Sequence, residues 1–564
     1  MDTSKKLIQI HWKTLFLLLL VCWFFINIVQ AFYTEIIDDE SYYASWGEYL
    51  AWGFYDHPPM VGVMTYLSSL LFEGNLGVRF FTVFIQIITL CFMWKLLQER
   101  VPSKDKVLLF FILPASMVMF SAYGFIATAD AALLFFSTLF LWVYQRFLNQ
   151  ESWKNAVFLA LSMAGMLYSK YHAVLFIGLL ILSNYRLLTR SKFWVAGVIT
   201  AVLLIPHLLW HIQEEFPSFQ YHLSARSSGF KWKYVIEYLP NQLVVFNPLA
   251  FGAVFFILFK YKPRDVFERG LHFLIFGFIL FFWGTSLRGH VEPHWTVAST
   301  VPMIILLYRY SLQNQKLLRF VKCWIAPSIL LLFMLRILLV TDNEVSRKLD
   351  FYGKQERFET LETIASEHPV VFIGSFQKPS LYRFFTKKEA TVLSGINSRQ
   401  TQYDIWQKEL AWQGQAVFVC CTIPNVTRNY WSKQYKFHGF VCENFQSVNR
   451  LKIAFDLNQT SFFGGDTLLL DFEIFNPQLN DIDFDHPELP VSIEAVYCNN
   501  SDLLFVKCDW NPKIEILPSH SRVKGQLKTA IPNLQGEYKF GLTLNNKICR
   551  PINSPFVKVL LVHK

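Results

Sequence analysis

"DDESYYASWGEYLAWGFYDHPPM", residues 38–60, follows directly on the apolar run 14–33. Asp38, Asp39, Glu40, Glu48, Asp56 and His57 stand in it among Tyr and Trp side chains. Charge at a bilayer is costly, and it persists there where it is paired or functional. The stretch therefore reads as a loop at a membrane surface that carries a site. Tyr42, Tyr43, Trp46 and Leu50 recur on related faces of a helix, with Asp39 as its N-cap and Glu40 complementing its dipole. Pro58-Pro59 makes a stiff extended turn that holds Asp56 and His57. The run "MVGVMTYLSSLLF" after it is too short to span and is expected to lie in the interface.

Composition sets the same frame. Of 564 residues, 53% are hydrophobic and 17% charged, and Phe occurs 56 times. Soluble domains run nearer a quarter charged. The apolar excess falls before about residue 340, in runs that match the ~20 residues of a spanning helix. Windowed hydropathy predicts about eleven spans, near 14–33, 77–97, 107–125, 131–147, 155–169, 172–185, 193–211, 235–259, 270–287, 295–308 and 321–340. "MDTSKK" before the first reads as the flank of an anchor rather than of a cleaved signal peptide.

The net charge of +10 comes from Lys and Arg clustered in short loops, so it argues orientation and not nucleic-acid binding. "ERVPSKDK", "NYRLLTRSKF", "KYKPRDVFER" and "YRYSLQNQKLLRFVK" are basic and are expected in the cytoplasm. They alternate with "DDESYYASW", "TAD", "SKYHA", "HIQEEFPSF" and "GHVEPHW", which then share the outer side with everything after residue 341. Nearly all acidic and His-bearing loops thus meet one face, as one site assembled from several loops requires.

"GFIATADAALLFF" puts Asp130 at the outer start of a span, where it can also cap a helix. "YSKYHA" brings Lys170 and Tyr171 to an outer turn, where Lys170 can snorkel or meet an anionic headgroup. The loop 207–233 offers Arg226, Lys231 and Lys233 to phosphate. "LRGHVEPHW" packs Arg288, His290, Glu292 and His294 into one turn; with Asp56 and His57, His290 and Glu292 are candidate ligands for a divalent cation.

In order and spacing, Asp39-Glu40, Tyr55-Asp56-His57-Pro58-Pro59, "TADAALLFF", "SKYHAVLF" and "GHVEPHW" resemble the motifs of bacterial membrane glycosyltransferases. These are relatives of the protein O-mannosyltransferases and the lipid A aminoarabinose transferases, with the GT-C fold. The resemblance covers residues 1–340. It implies a multi-span helical domain that moves one sugar from a polyprenyl (undecaprenyl) phosphate to a lipid A, protein or glycan acceptor, by inverting displacement at the periplasmic side of a bacterial inner membrane. It implies Asp39 and Asp130 as catalytic acidic residues, Asp130 near the acceptor or a metal, with Glu40 beside them, and Asp56 and His57 at the donor phosphate or a metal; Lys170, Tyr171, Arg226 and Arg288 are further candidates for the donor phosphate. One departure matters: His57 stands where the lipid A transferases favour Lys. A lipid-linked glycan transporter and an oligosaccharide ligase are the competing readings; acids at span ends rather than at midplane, and no evident internal repeat, argue against the transporter.

The tail reads as two soluble pieces. Residues 341–455 alternate buried strands ("PVVFIGS", "QAVFVCC") with an amphipathic helix ("QERFETLETIASE"), as a small α/β domain does. From 456 on, "TLLLDFEIF", "VSIEAVY", "LLFVKCDW" and "YKFGLTL" recur between turns, which predicts a β-sandwich over 456–564. Of nine Cys, six lie in this tail, and Cys498 and Cys508 flank a turn that a hairpin disulfide could close.

Overall fold

The computed structural model describes residues 11–221, 229–423, 427–431, 435–499 and 502–563. The chain divides into two compact units, Met1–Lys354 and Gln355–Lys564.

The first unit is helical: α1 (Trp12–Tyr33), α2 (Asp38–Glu48), α3 (Met60–Ser69), α4 (Gly74–Leu96), α5 (Lys104–Ser116), α6 (Val118–Ala122), α7 (Ala129–Asn149), α8 (Trp153–Ser169), α9 (Ala173–Ser183), α10 (Ser191–Leu203), α11 (Ile205–Gln213), α12 (Pro217–Gln220), α13 (Trp232–Phe246), α14 (Pro248–Lys260), α15 (Val266–Thr285), α16 (Thr300–Ser311), α17 (Gln315–Phe320), α18 (Ala326–Leu339) and α19 (Glu344–Lys348). A 3-10 turn, Pro293–Ser299, precedes α16, and a π turn joins α17 to α18.

Each of the eleven expected runs lies on helix, but not as eleven uninterrupted spans. Among the described residues five helices are long and apolar enough to cross a membrane, or seven if each bent pair counts as one. The run expected as one span at 235–259 is instead α13 and α14, crossing at 103°. Asn247 takes φ +72°, its side chain caps Leu249 N–H at 3.0 Å, and Pro248 opens the new helix. Asn247 Nδ2 also donates to Ser116 O (3.1 Å), where α5 breaks before α6. The α10–α11 pair bends by 41° ahead of Pro206.

One apolar core runs through the bundle, from Leu90 and Phe110 to Tyr144, Leu274 and Ile304. α3, the run too short to span, packs on the bundle. It buries Val61, Gly62, Met64, Thr65 and Ser68, and Gly62 lets it close on Trp46 and Phe54. The chain beyond residue 340 stays in this unit as far as Lys354: Tyr352 Oη donates to Tyr33 O (2.6 Å), and Lys354 N–H donates to Glu35 (2.9 Å).

The second unit holds α20 (Lys354–Ala365), α21 (Gln377–Thr386) and α22 (Gln402–Trp406) with β1 (Val370–Ile373), β2 (Ala390–Leu393), β3 (Val417–Cys420), β4 (Arg428–Trp431) and β5 (Lys436–Cys442) in the order β2-β1-β3-β5-β4. β1 pairs parallel with β2 and β3, the α/β pattern expected. The remaining strands are β6 (Lys452–Phe455), β7 (Ser461–Phe463), β8 (Thr467–Phe475), β9 (Ile482–Asp483), β10 (Ser492–Asn499), β11 (Asp502–Asn511), β12 (Ile516–Leu517), β13 (Arg522–Ala530), β14 (Gly536–Asn545) and β15 (Val557–Val562). β11 pairs with β10 up to Lys507 and with β13 from Cys508, so it joins the two halves of the order β6-β8-β13-β11-β10-β14-β15-β7. Alternate residues from both halves, Leu470, Phe472 and Leu527 with Ile493, Phe540 and Leu542, fill one core, as a sandwich requires. No hairpin disulfide forms: the register sets Cys498 opposite Leu503 and Cys508 opposite Thr529, and all nine cysteines are free.

Candidate active site

The first turn of α2 supplies the acids, and Glu40 fixes them. The N-cap is Ile37, not Asp39, so Asp38 and Asp39 fall inside the first turn, where the helix dipole favours negative charge. Asp39 is exposed. Glu40 does more than complement a dipole. Its carboxylate accepts from Arg79 Nε (2.7 Å) and Nη2 (2.5 Å) on α4, from Ile37 N–H (3.1 Å) and from Ala127 N–H (2.8 Å). Arg79 in turn donates to the carbonyls of Ala31, Thr34 and Glu35, which end α1. Both side chains are fully buried. A buried pair survives when its remaining donors and acceptors are also satisfied, as they are here. The result ties α1, α2, α4 and the strand of chain before α7 to one point.

Ala127 leads straight into α7. Thr128 is the N-cap, accepting from Ala131 N–H (3.2 Å), so Asp130 is not a cap. Both Asp130 oxygens accept from Lys170 Nζ at 2.7 Å, and both residues are buried. His294, in the 3-10 turn before α16, brings Nε2 to 3.7 Å from Asp130 Oδ2. Tyr123 feels the charges of Asp130, Asp39 and Glu292 together, which brings the three acids to one neighbourhood. Lys170, expected at a donor phosphate, is thus engaged with Asp130.

The Asp56–His57 loop packs on the aromatic face of α2. Trp46 stacks on Phe54 with centroids 4.3 Å apart, and His57 lies 6.2 Å from Tyr43 and 6.4 Å from Trp46. Tyr171 lies within reach of the Asp56 charge. Its hydroxyl is 3.0 Å from His211 Nε2 and 3.4 Å from His207 Nε2. Burial raises the Tyr171 phenol well above its ordinary pKa, a Ser218 hydrogen bond opposes this, and Asp56 adds to it, so the hydroxyl keeps its proton.

The remaining expectations separate. His290 and Glu292 approach to 3.6 Å, the first exposed and the second half-buried. Arg288 is exposed and makes no ion pair among the described residues. Arg226 lies outside the described residues. Asp56, His57, His290 and Glu292 do not gather as metal ligands: among the described residues no group of three or more His, Cys, Asp or Glu is placed to hold an ion. The residue types suit a divalent cation but the arrangement of the described residues does not.

Sequence reasoning did not single out Arg79, His207, His211, Ser218 or Tyr123. Arg79 carried a signal, a lone cation in an apolar run. His207 and His211, four apart, carried a weaker one.

The apolar helices of bilayer length mark a multi-pass membrane protein, and its likeness to solved structures gives it the GT-C fold. Residues 56–210 match the family model of dolichyl-phosphate-mannose-protein mannosyltransferase. The chain resembles the lipid A galacturonosyltransferase RgtD of Rhizobium johnstonii, 24% identical over 300 residues, which cover 49% of this chain and 61% of that protein. In structure it resembles ArnT from Cupriavidus metallidurans in the apo state (TM-score 0.55, 14% identity, 76% of this chain and 97% of that one). It is equally similar to the same protein bound to undecaprenyl phosphate (TM-score 0.54, 13% identity, with the same coverage).

Proposed function

We propose that the chain moves a single sugar from undecaprenyl phosphate to lipid A at the periplasmic face of the inner membrane, in one inverting displacement. The relative named for lipid A galacturonosyl transfer and the structural relative solved with undecaprenyl phosphate support the substrate classes. The observation that carries the chemistry is the pairing of unlike carboxylates. Asp130 is buried and neutralised by Lys170, whereas Asp39 is exposed on the same lip. An exposed carboxylate held in a fixed first turn is the one able to take a proton.

In this reading an acceptor hydroxyl attacks the anomeric carbon and gives its proton to Asp39. The bond from the anomeric carbon to the phosphate oxygen breaks, and lipid phosphate leaves with the electron pair. A positioned general base contributes typically ~10²–10⁴-fold. Cations offset the charge that grows on the leaving oxygen; His57 and the exposed Arg288 serve there, while Lys170 holds Asp130. Single displacement inverts the anomeric centre.

The test is purified protein with radiolabelled undecaprenyl-phosphate sugar. Labelled lipid A, with undecaprenyl phosphate released only when lipid A is present, is the expected result. Release without acceptor, or movement of unaltered donor across vesicles, would instead indicate hydrolysis or transport. Asp39→Asn should still bind donor but lose transfer; turnover within threefold of the parent removes Asp39 from the proton step.

A further inference from the structure

Three consecutive residues of the loop leading to Asp56 and His57 are each held from outside it. Trp52 O accepts from His207 Nδ1 on α11 at 2.6 Å. A carbonyl can only accept, so Nδ1 carries the hydrogen. Gly53 lies flat against the Trp210 ring, also on α11, where an added Cβ would stand 2.2 Å from Cε3. Phe54 O accepts from Ser218 Oγ on α12 at 3.1 Å. Of the two donors that grip the carbonyls, His207 also reaches the Tyr171 hydroxyl, 3.4 Å from its Nε2.

The hydrogen positions follow. With hydrogen on Nδ1, neutral His207 offers Nε2 only as an acceptor. Ser218 gives its hydrogen to Phe54 O. Tyr171 has one hydrogen to give, and its other contact, 3.0 Å to His211 Nε2, is satisfied when His211 carries hydrogen there and donates to the phenol oxygen. Tyr171 thus links the two histidines, receiving from His211 and giving its one hydrogen toward His207, which holds the loop. The residue before it, Lys170, holds Asp130.

We infer that His207 and Ser218 are positioning residues, which grip the Trp52 and Phe54 carbonyls and, through the His207 contact with Tyr171, hold the Asp56–His57 loop in register with the Lys170–Asp130 pair. Neither need touch substrate. The proposal deepens the transfer reading and rests on it for its kinetic arm only. Asn at 207 can place Nδ2 where His has Nδ1; Ala cannot.

The experiment compares His207→Ala, His207→Asn and Ser218→Ala in the full-length protein in nanodiscs. Amide hydrogen exchange over residues 50–60 is read first, since Phe54 N–H closes the loop on His57 O (3.1 Å). Exchange there should rise about tenfold or more in both Ala variants and stay near the parent in His207→Asn, with 125–135 unchanged. In the transfer assay the donor KM should rise about tenfold in the Ala variants, with kcat within about threefold and rescue by Asn. Parental exchange in His207→Ala, or equal exchange in Ala and Asn, overturns the proposal. Absent transfer by the parent overturns the functional reading and leaves the exchange arm to decide the clamp.

Discussion

Arg79→Met tests the junction on which the site is built. Arg79 and Glu40 are both fully buried, joined by contacts of 2.7 and 2.5 Å. Methionine fills much of the same volume but brings no donor. It leaves the Glu40 carboxylate with only the N–H groups of Ile37 and Ala127, and removes the shared donor to the carbonyls of Ala31, Thr34 and Glu35. Breaking one side of a buried pair costs about 3–5 kcal/mol. The three carbonyls lie at a helix end that can relax toward other donors, so we count only the pair term and take the loss as about 5 kcal/mol. Glu40→Leu with Arg79→Met removes both charges and should recover more than half of that loss. Reversible unfolding in mixed micelles, followed by tryptophan fluorescence, measures both. A single variant within about 1 kcal/mol of the parent, or a double variant as damaged as the sum of the singles, refutes the argument that charge pairing holds this junction.

Lys170→Met leaves Asp130 buried without its cation, and should cost about 3–5 kcal/mol in the same assay; Asp130→Asn in that background should restore most of it, and failure to do so would show the pair to be uncoupled. Asp39→Asn should lower transfer by about 10²–10⁴-fold with little loss of stability, because the side chain is exposed. In the second unit, burial raises the Asp404 carboxyl above its ordinary value, against hydrogen bonds from Thr401 and Ser394. The folded state then holds the proton more tightly than the unfolded chain. Stability from this group is full below pH ~4, the unfolded value, and is lost as pH rises through the folded one. Exchange of residues 394–406 should therefore show the parent losing protection relative to Asp404→Asn between pH 4 and pH 7; a constant or opposite difference refutes the sign.

What the sequence determined by itself is what depends on neighbours along the chain. Apolar runs of bilayer length, basic loops alternating with acidic ones, and strands that alternate sides in the tail follow from local period and composition. The kink at Asn247-Pro248 was also locally written, since an Asn before Pro favours leaving a helix there. Contacts between distant segments were decided only by the tertiary structure. Glu40 reads as a helix-end acid until α4 brings Arg79 to it across 39 residues, and Lys170 reads as a snorkelling cation until α7 and α8 pack and Asp130 meets it. His207 and Ser218 acquire a role only where α11 and α12 fold back on the Trp52–Phe54 loop. The physical reason is the same in each case. A charged or polar side chain is compatible with many surroundings in water, and only burial, which makes an unpaired group costly, selects the one partner that satisfies it.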